Sequence, residues 1–411
     1  MKSIAFVQEK FREYYTKEFS LNGNLSMIER REFGFASFEG WMLRHQSFKN
    51  KDELTGFLSE SIPRDAYFSC AYYEDPKAEM EKKGWLGADL IFDIDADHIP
   101  TPCDKVHDEW VCGKCGFAGK GITPEKCPAC DSEKFEDSKW PCEVCLTSAK
   151  SETIKLLDML TEDFGFSEKE THVFFSGHRG YHVHVEHEAI RNLDSLARKE
   201  IVDYVCGLGL DAVSLQLDGK RLTGLTMKDT GWRGRIAKGM HEFVVTAGPE
   251  DYGNAGFEKP FINTAIRTIT KNRDALIKSL EGSKPWGIFK GIGPETWRKI
   301  MEYSAKTQVA NIDTVVTTDI HRLIRLAGTL HGKTGLKKVE FPARAISDFD
   351  PFKSAIAFKG GTATVFVSNA PEFRMAEETF GPYRNQKVEL PTAAAVLLVC
   401  KKRAEAVEQD V

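Results

Sequence analysis

No apolar run in these 411 residues is long enough to cross a bilayer as a helix, which argues against a membrane-spanning segment. Residues 1–6 lack the extended apolar core of a secretory signal, so a cytoplasmic protein is expected. Positive charge is not in excess. The 56 Lys and Arg stand against 61 Asp and Glu, a net charge of -5, so any contact with nucleic acid must come from a local basic groove. Internal repeats and low-complexity tracts are missing. A Walker A motif is missing too: the triplet Gly332-Lys333-Thr334 needs a glycine at position 327, where Ala327 stands, and no apolar strand precedes it. Cysteine is sparse except in one region. Only Cys70, Cys206 and Cys400 lie outside residues 103–145, each in apolar surroundings that suit core positions. What remains, 41% hydrophobic and 28% charged with a mean hydropathy of -0.35, is ordinary for a globular protein of two or three units.

The chain is organised around Leu90-Ile91-Phe92-Asp93-Ile94-Asp95. The apolar start predicts a buried strand, and side chains two apart in a strand share a face. Asp93 and Asp95 therefore point together from a strand end, an oxygen pair suited to hard divalent cations. By itself this pair is a weak signal, because Asp is common at strand ends.

Residues 101–145 differ sharply in composition. Cys112-x2-Cys115-x11-Cys127-x2-Cys130 has the spacing of a zinc ribbon, four thiolates for one tetrahedral ion. With no open position, that zinc is structural. Cys103, His107, Cys142 and Cys145 flank the ribbon and meet as a second zinc site if the ends of the insertion lie close together. The alternative is an exposed His107 and an unliganded Cys103.

Hydrophobic periodicity predicts helices over residues 3–19, 52–58, 146–164, 196–204, 263–280, 295–303 and 392–408, with one opening at residues 319–325. Strands are expected around residues 30–35 and 41–45 as a hairpin, and at 65–73, 171–175, 183–185 and 362–367. In that hairpin Arg31, Glu32 and Arg44, taken without context, read first as ordinary solvated strand residues. Residues 228–238, with Trp232-Arg233-Gly234-Arg235, read as a loop that either contacts a nucleic-acid backbone or is simply solvated.

Between two strands lies Ser176-Gly177-His178-Arg179-Gly180-Tyr181-His182. Its glycines let the backbone turn and approach a ligand, and its Ser, His and Arg supply donors for phosphate oxygens. The loop reads as an anion site, against the plainer reading of a hairpin turn with incidental polar residues.

Taken together, these ordered elements resemble the catalytic small subunit of the archaeal and eukaryotic type of DNA primase, over residues 1–335. The matching elements are Arg31-Glu32-Phe33 with Arg44-His45, Tyr72-Tyr73, the pair Asp93 and Asp95, the 176–182 loop, Asp313, Arg325 and His331, and Cys103, His107, Cys142 and Cys145 at the position of the family's zinc knuckle. The ribbon between Cys112 and Cys130 is an insertion relative to the shortest members. His178 stands where some relatives have Arg.

The resemblance implies an α/β (α+β) fold, a primase catalytic fold with two sheets flanking an active-site cleft. It implies a core from residues 1–100 and 146–191, a zinc-binding insertion at 101–145, a mostly helical segment at 192–310, and the rest of the core with a C-terminal helix at 311–411. It implies nucleotidyl transfer by two Mg²⁺ or Mn²⁺ ions held by Asp93, Asp95 and Asp313 roughly 3.5–4 Å apart, with Asp319 an alternative third carboxylate. Ser176, His178, Arg179, His182, Arg325 and His331 are implied triphosphate ligands. Arg179 is foremost among them because its planar fork binds phosphate bidentately. Glu32 and Arg44 are placed near the ribose and the metal-bound phosphates. The expected activity is DNA-templated synthesis of short RNA (or DNA) primers in replication. The expected partners are a primase large subunit in a heterodimer, single-stranded DNA and nucleoside triphosphates, with no membrane. The rival readings are a repair-type or mobile-element primase-polymerase of the same superfamily, a metal-dependent nuclease, and a non-catalytic zinc-ribbon module.

Overall fold

A computed structural model describes residues 2–21, 23, 25–99, 101–211, 217–218, 221–222, 224–283 and 289–407. The chain divides into two compact units. The first comprises Met1–Thr153, Ser167–Lys199 and Ile312–Val411; the second comprises Ile154–Phe166 and Glu200–Asn311.

Two four-stranded antiparallel sheets dominate the first unit. Their strands are β1 (Phe33–Ala36), β2 (Met42–Gln46), β3 (Asp65–Ser69), β4 (Leu90–Asp95), β5 (Thr171–Phe175), β6 (Gly180–Val185), β7 (Leu323–Arg325) and β8 (Val339–Phe341). The first sheet has the order β7-β3-β1-β2 and the second β8-β5-β6-β4. Strand alternation decides what each face carries. In β4, Leu90, Phe92 and Ile94 are fully buried on one face, while Ile91, Asp93 and Asp95 line a cavity on the other. In β6, Tyr181, Val183 and Val185 are buried, and His182 and His184 lie on the alternate face. The expected α/β fold with two sheets flanking a cleft is what the structure shows, because residues of β3 and β7 form the opposite wall of that cavity.

The helix Lys2–Lys17 buries Val7, Phe11, Tyr14 and Tyr15. Tyr14 Oη donates to Gly328 O at 2.7 Å and Tyr15 Oη accepts from Leu330 N at 3.2 Å, so this helix props the segment that carries His331. The cysteine-rich insertion forms its own three-stranded sheet, with Glu109–Cys112 between Ala118–Lys120 and Phe135–Ser138.

Several local expectations change. Residues 319–325 do not open a helix. A short helix, Thr314–Thr318, comes earlier, capped by Asp313, whose Oδ1 accepts from Val315 N and Val316 N. Leu323–Arg325 is instead a strand, because Leu323, Ile324 and Arg325 pair with Ser69, Phe68 and Tyr67. The last helix stops at Cys400 rather than running to residue 408, which lies outside the described residues. Lys402 adopts a positive φ of 56°, and Ala404–Ala406 pairs with the strand Thr362–Ala370. Arg31 and Glu32 are not solvated strand residues. Arg31 is 1% exposed and bonds Asp89 and Tyr72, while Glu32 is buried against Lys83.

The second unit is largely helical among the described residues, with Gly231–Thr246, Lys259–Leu280 and Pro294–Gln308 its longest elements. Most of the stretch read as a basic loop is helix. Arg235 is buried against Asp163 and Lys238 pairs with Glu162 at 2.7 Å, so neither side chain is free for a phosphate backbone.

Candidate active site

The two predicted motifs meet through strand register. β6 pairs antiparallel with β4 so that His182 lies opposite Asp93 and Gly180 opposite Asp95. The phosphate-type loop thus ends beside the carboxylates. His182 Nε2 stands 3.4 Å from Asp93 Oδ1. Gly180 allows this pairing: a Cβ there would lie 2.1 Å from Ile94 O. Gly177 turns the loop at φ +88°. Ser176 Oγ accepts from His178 N at 3.2 Å and Gly180 N at 3.3 Å, which holds the loop closed.

A cavity of about 190 Å³ opens in front of this loop. Asp93, Asp95, Ser176, His178 and His182 line one side; Tyr67, Arg322, Arg325 and His331 line the other. His331 stacks on His178 with ring centroids 5.1 Å apart. Arg325 is anchored by a buried ion pair with Asp65 Oδ1 at 2.5 Å, and the same oxygen accepts from Gly332 N at 2.8 Å. Asp65 therefore holds both the arginine and the His331 turn.

Asp313 joins the carboxylates through its backbone: its N–H donates to Asp93 O at 2.8 Å. Burial, then the charges of Asp95 and Asp313, push Asp93 up to about 7. Asp319 plays a different part, with Oδ1 accepting from His321 N and its carbonyl accepting the Cys70 thiol. Burial, followed by nearby cations, drives His178, His182 and His331 well below the usual histidine range, so all three are neutral donors and acceptors. An all-oxygen donor set whose members repel one another fits a hard divalent cation. Unlike the thiolate clusters, the three carboxylates do not form a group whose ligand atoms all lie within 4.8 Å of one another among the described residues.

The insertion holds two tetrads whose ligand atoms all lie within 4.8 Å of one another: Cys103, His107, Cys142 and Cys145, and Cys112, Cys115, Cys127 and Cys130. None of the ten cysteines is in a disulfide bond. In the first tetrad Cys103–Cys145 is 3.3 Å, Cys103–Cys142 3.5 Å and His107 Nε2–Cys142 Sγ 3.2 Å. In the second, Cys112–Cys130 and Cys115–Cys127 are each 3.6 Å. These separations are far longer than a disulfide bond and match the edges of a zinc tetrahedron. His107 Nδ1 lies 2.7 Å from Asp108 Oδ1, which turns Nε2 toward the sulfurs.

Residues 129–342 match the family model described as DNA primase small subunit. The chain is 31% identical over 405 residues to the DNA primase small subunit PriS of Nitrosopumilus maritimus, covering 98% of each chain. It is 33% identical over 409 residues to that of Cenarchaeum symbiosum, covering 98% of this chain and 99% of the relative. To that of Methanothrix thermoacetophila it is 33% identical over 428 residues, again 98% and 99%. The chain belongs to the DNA primase small subunit family.

Within this primase small-subunit fold, the residues singled out from sequence fall into three places. Asp93, Asp95, Ser176, His178, His182, Arg325 and His331 share the cavity, with Asp313 adjoining. Arg179 is 1% exposed and does not line it. Its Nη1 donates to Asp108 Oδ2 at 2.7 Å and to Trp140 O at 3.4 Å, and Nη2 pairs with Asp97. It thereby braces the loop against the first cysteine tetrad. Glu32 and Arg44 also lie off the cavity lining. Glu32 accepts from Lys83 Nζ at 2.6 Å and Arg44 Nε at 3.1 Å, in a cluster whose Lys83 stacks over Tyr73.

Sequence reasoning missed Asp65, Asp108, Arg322, Lys338 and Lys401, none of which sits in a local pattern. Lys338 is 1% exposed and donates to Arg325 O at 2.9 Å. Asp65 yields a direct test. Burial opposes its charge, but Arg325 and the Gly332 amide more than offset this and hold its carboxyl below the ordinary range. Its stabilising contribution is therefore present above about pH 4 and lost as pH falls through that depressed value. Asp65→Asn should lower unfolding stability by about 3 kcal/mol at pH 7, read by urea denaturation, with a smaller difference from wild type at acid pH.

Proposed function

We infer that this chain is a DNA primase catalytic subunit: a nucleotidyltransferase that makes short RNA, or also DNA, primers on a single-stranded DNA template. The observation that carries the reading is the β4–β6 register, which sets Asp93 and Asp95 against a donor-rich loop across from Arg325 and His331. Family membership over nearly the full length supports it.

Asp93, Asp95 and Asp313 would hold Mg²⁺ or Mn²⁺, and such ions lower the pKa of an attacking 3′-hydroxyl and neutralise a leaving pyrophosphate. The protein's own part is positioning and charge. Arg325, fixed by Asp65, offers a guanidinium to phosphate oxygens. Ser176, His178, His182 and His331 contribute hydrogen bonds as neutral groups. Arg179 aligns the loop from behind, and Glu32 with Arg44 forms the more distant flank of the site. Both cysteine tetrads are assigned to structural Zn²⁺. A large subunit is the expected partner.

The test is primer synthesis on unprimed single-stranded DNA, in Mg²⁺ and in Mn²⁺, alone and with the large subunit. Labelled oligonucleotides from wild type, absent from Asp93→Ala/Asp95→Ala, are expected. Extension of a supplied primer without initiation points instead to a repair-type polymerase, and template cleavage alone to a nuclease.

A further inference from the structure

A second cavity, of about 620 Å³, lies beyond His178, which borders both cavities. Lys139, Lys333, Lys401, Lys402 and Arg403 line it, facing Glu109, Glu136 and Asp137. Arg403 is paired with Glu109 at 3.1 Å, and Lys139 stands 4.0 Å from both Asp137 and Asp97. Lys333, Lys401 and Lys402 have no carboxylate partner among the described residues.

Lys401 is the unusual one. It is 8% exposed, and the polar contacts of its ammonium are two uncharged acceptors, Lys139 O at 2.8 Å and His178 Nε2 at 2.5 Å. A buried cation without a counter-charge is strongly disfavoured. Burial, with Arg179 and Lys333 nearby, lowers it to about 7. An anion entering this cavity would supply the missing charge. When Lys401 is an ammonium it can only donate, and His178 Nε2 then accepts from it.

We propose that Lys401, with Lys333, forms a phosphate subsite joined to the nucleotide cavity through His178, taking the terminal phosphate of a bound triphosphate or the pyrophosphate released from it. This rests on the nucleotidyl-transfer reading. Both sources offer the same chemistry, a doubly ionised phosphate end, and charge-assisted bonds from two lysines suit it.

Calorimetric titration of the full chain with Mg²⁺-ATP, with Mg²⁺-pyrophosphate and with AMP separates the possibilities. The variants are Lys401→Met, Lys401→Arg and the exposed Lys333→Ala. Losing the buried ammonium in Lys401→Met should weaken pyrophosphate binding about tenfold, with recovery in Lys401→Arg and a loss of about threefold in Lys333→Ala. AMP binding should not change. If ATP weakens in parallel, the subsite holds the terminal phosphate; if pyrophosphate alone weakens, it holds the leaving group. Unchanged affinity for both ligands in folded Lys401→Met and Lys333→Ala would overturn the subsite while leaving the transferase reading intact. Should Lys401→Met fail to fold, unchanged affinities in Lys333→Ala overturn it equally. If wild type binds neither ATP nor pyrophosphate, the transferase reading falls and takes the subsite with it.

Discussion

Asp93→Asn is expected to cut primer synthesis by about 10³-fold while making the metal-free protein more stable above pH 7. Both effects have one cause. Asp93 lies among Asp95 and Asp313 in a site that removes it from water, which raises it from 3.8 to about 7. Between those values the folded chain holds a proton that the unfolded chain has released. Stability of the metal-free protein therefore falls as pH rises from about 4 to 7, and the full penalty applies above that. Asparagine carries no such penalty. The side chain is 28% exposed, so solvent screening leaves about 1–2 kcal/mol of the gain. Thermal melts at pH 8 without metal should show the variant a few degrees above wild type, and the gap should close by about pH 5. Adding Mg²⁺ should raise the wild-type melting temperature and move the variant little. A variant that melts no higher than wild type at pH 8 would mean that the carboxylates do not repel one another as the geometry requires.

Breaking the brace between the 176–182 loop and the first cysteine tetrad should be the most damaging structural change. Asp108 is 3% exposed and accepts from Arg179 Nη1, from Trp140 N at 3.0 Å and from His107 Nδ1. Arg179→Met leaves that carboxylate buried with its cation gone, at a loss of about 3–5 kcal/mol. Arg179→Met/Asp108→Leu removes both charges and should regain much of this, since apolar replacement of a buried pair is often neutral. The double-mutant cycle, measured by urea unfolding with bound zinc quantified in parallel, gives the coupling. A strictly additive result would remove the brace. Triphosphate affinity of the double variant then asks a separate question: a large loss with stability restored would assign Arg179 a direct phosphate contact as well.

The local elements were the most legible. Cysteine spacing declares its chemistry because four thiolates must converge on one ion, and the strand–Asp-x-Asp pattern declares which face the carboxylates share. Loop chemistry was equally plain at Gly177 and Gly180. Elements without a strong period were not. Residues 319–325 look helical in isolation, yet Leu323–Arg325 pairs as a strand with β3, some 250 residues earlier in the chain. A tertiary ladder overrides a local preference of a few tenths of a kcal/mol per residue.

The sequence by itself determined the ligand types, the Asp93/Asp95 face, the loop and the absence of a long apolar helix, because each depends on residues close together in the chain. Only the tertiary structure decided that the ends of the insertion close Cys103, His107, Cys142 and Cys145 into a second tetrad, that Asp65 anchors Arg325, that Arg179 turns toward Asp108, and that Lys401 stands behind His178. These are pairings across 35 to 260 residues. No local periodicity encodes them; they follow from which strands pair and which charges, once buried, must find a partner.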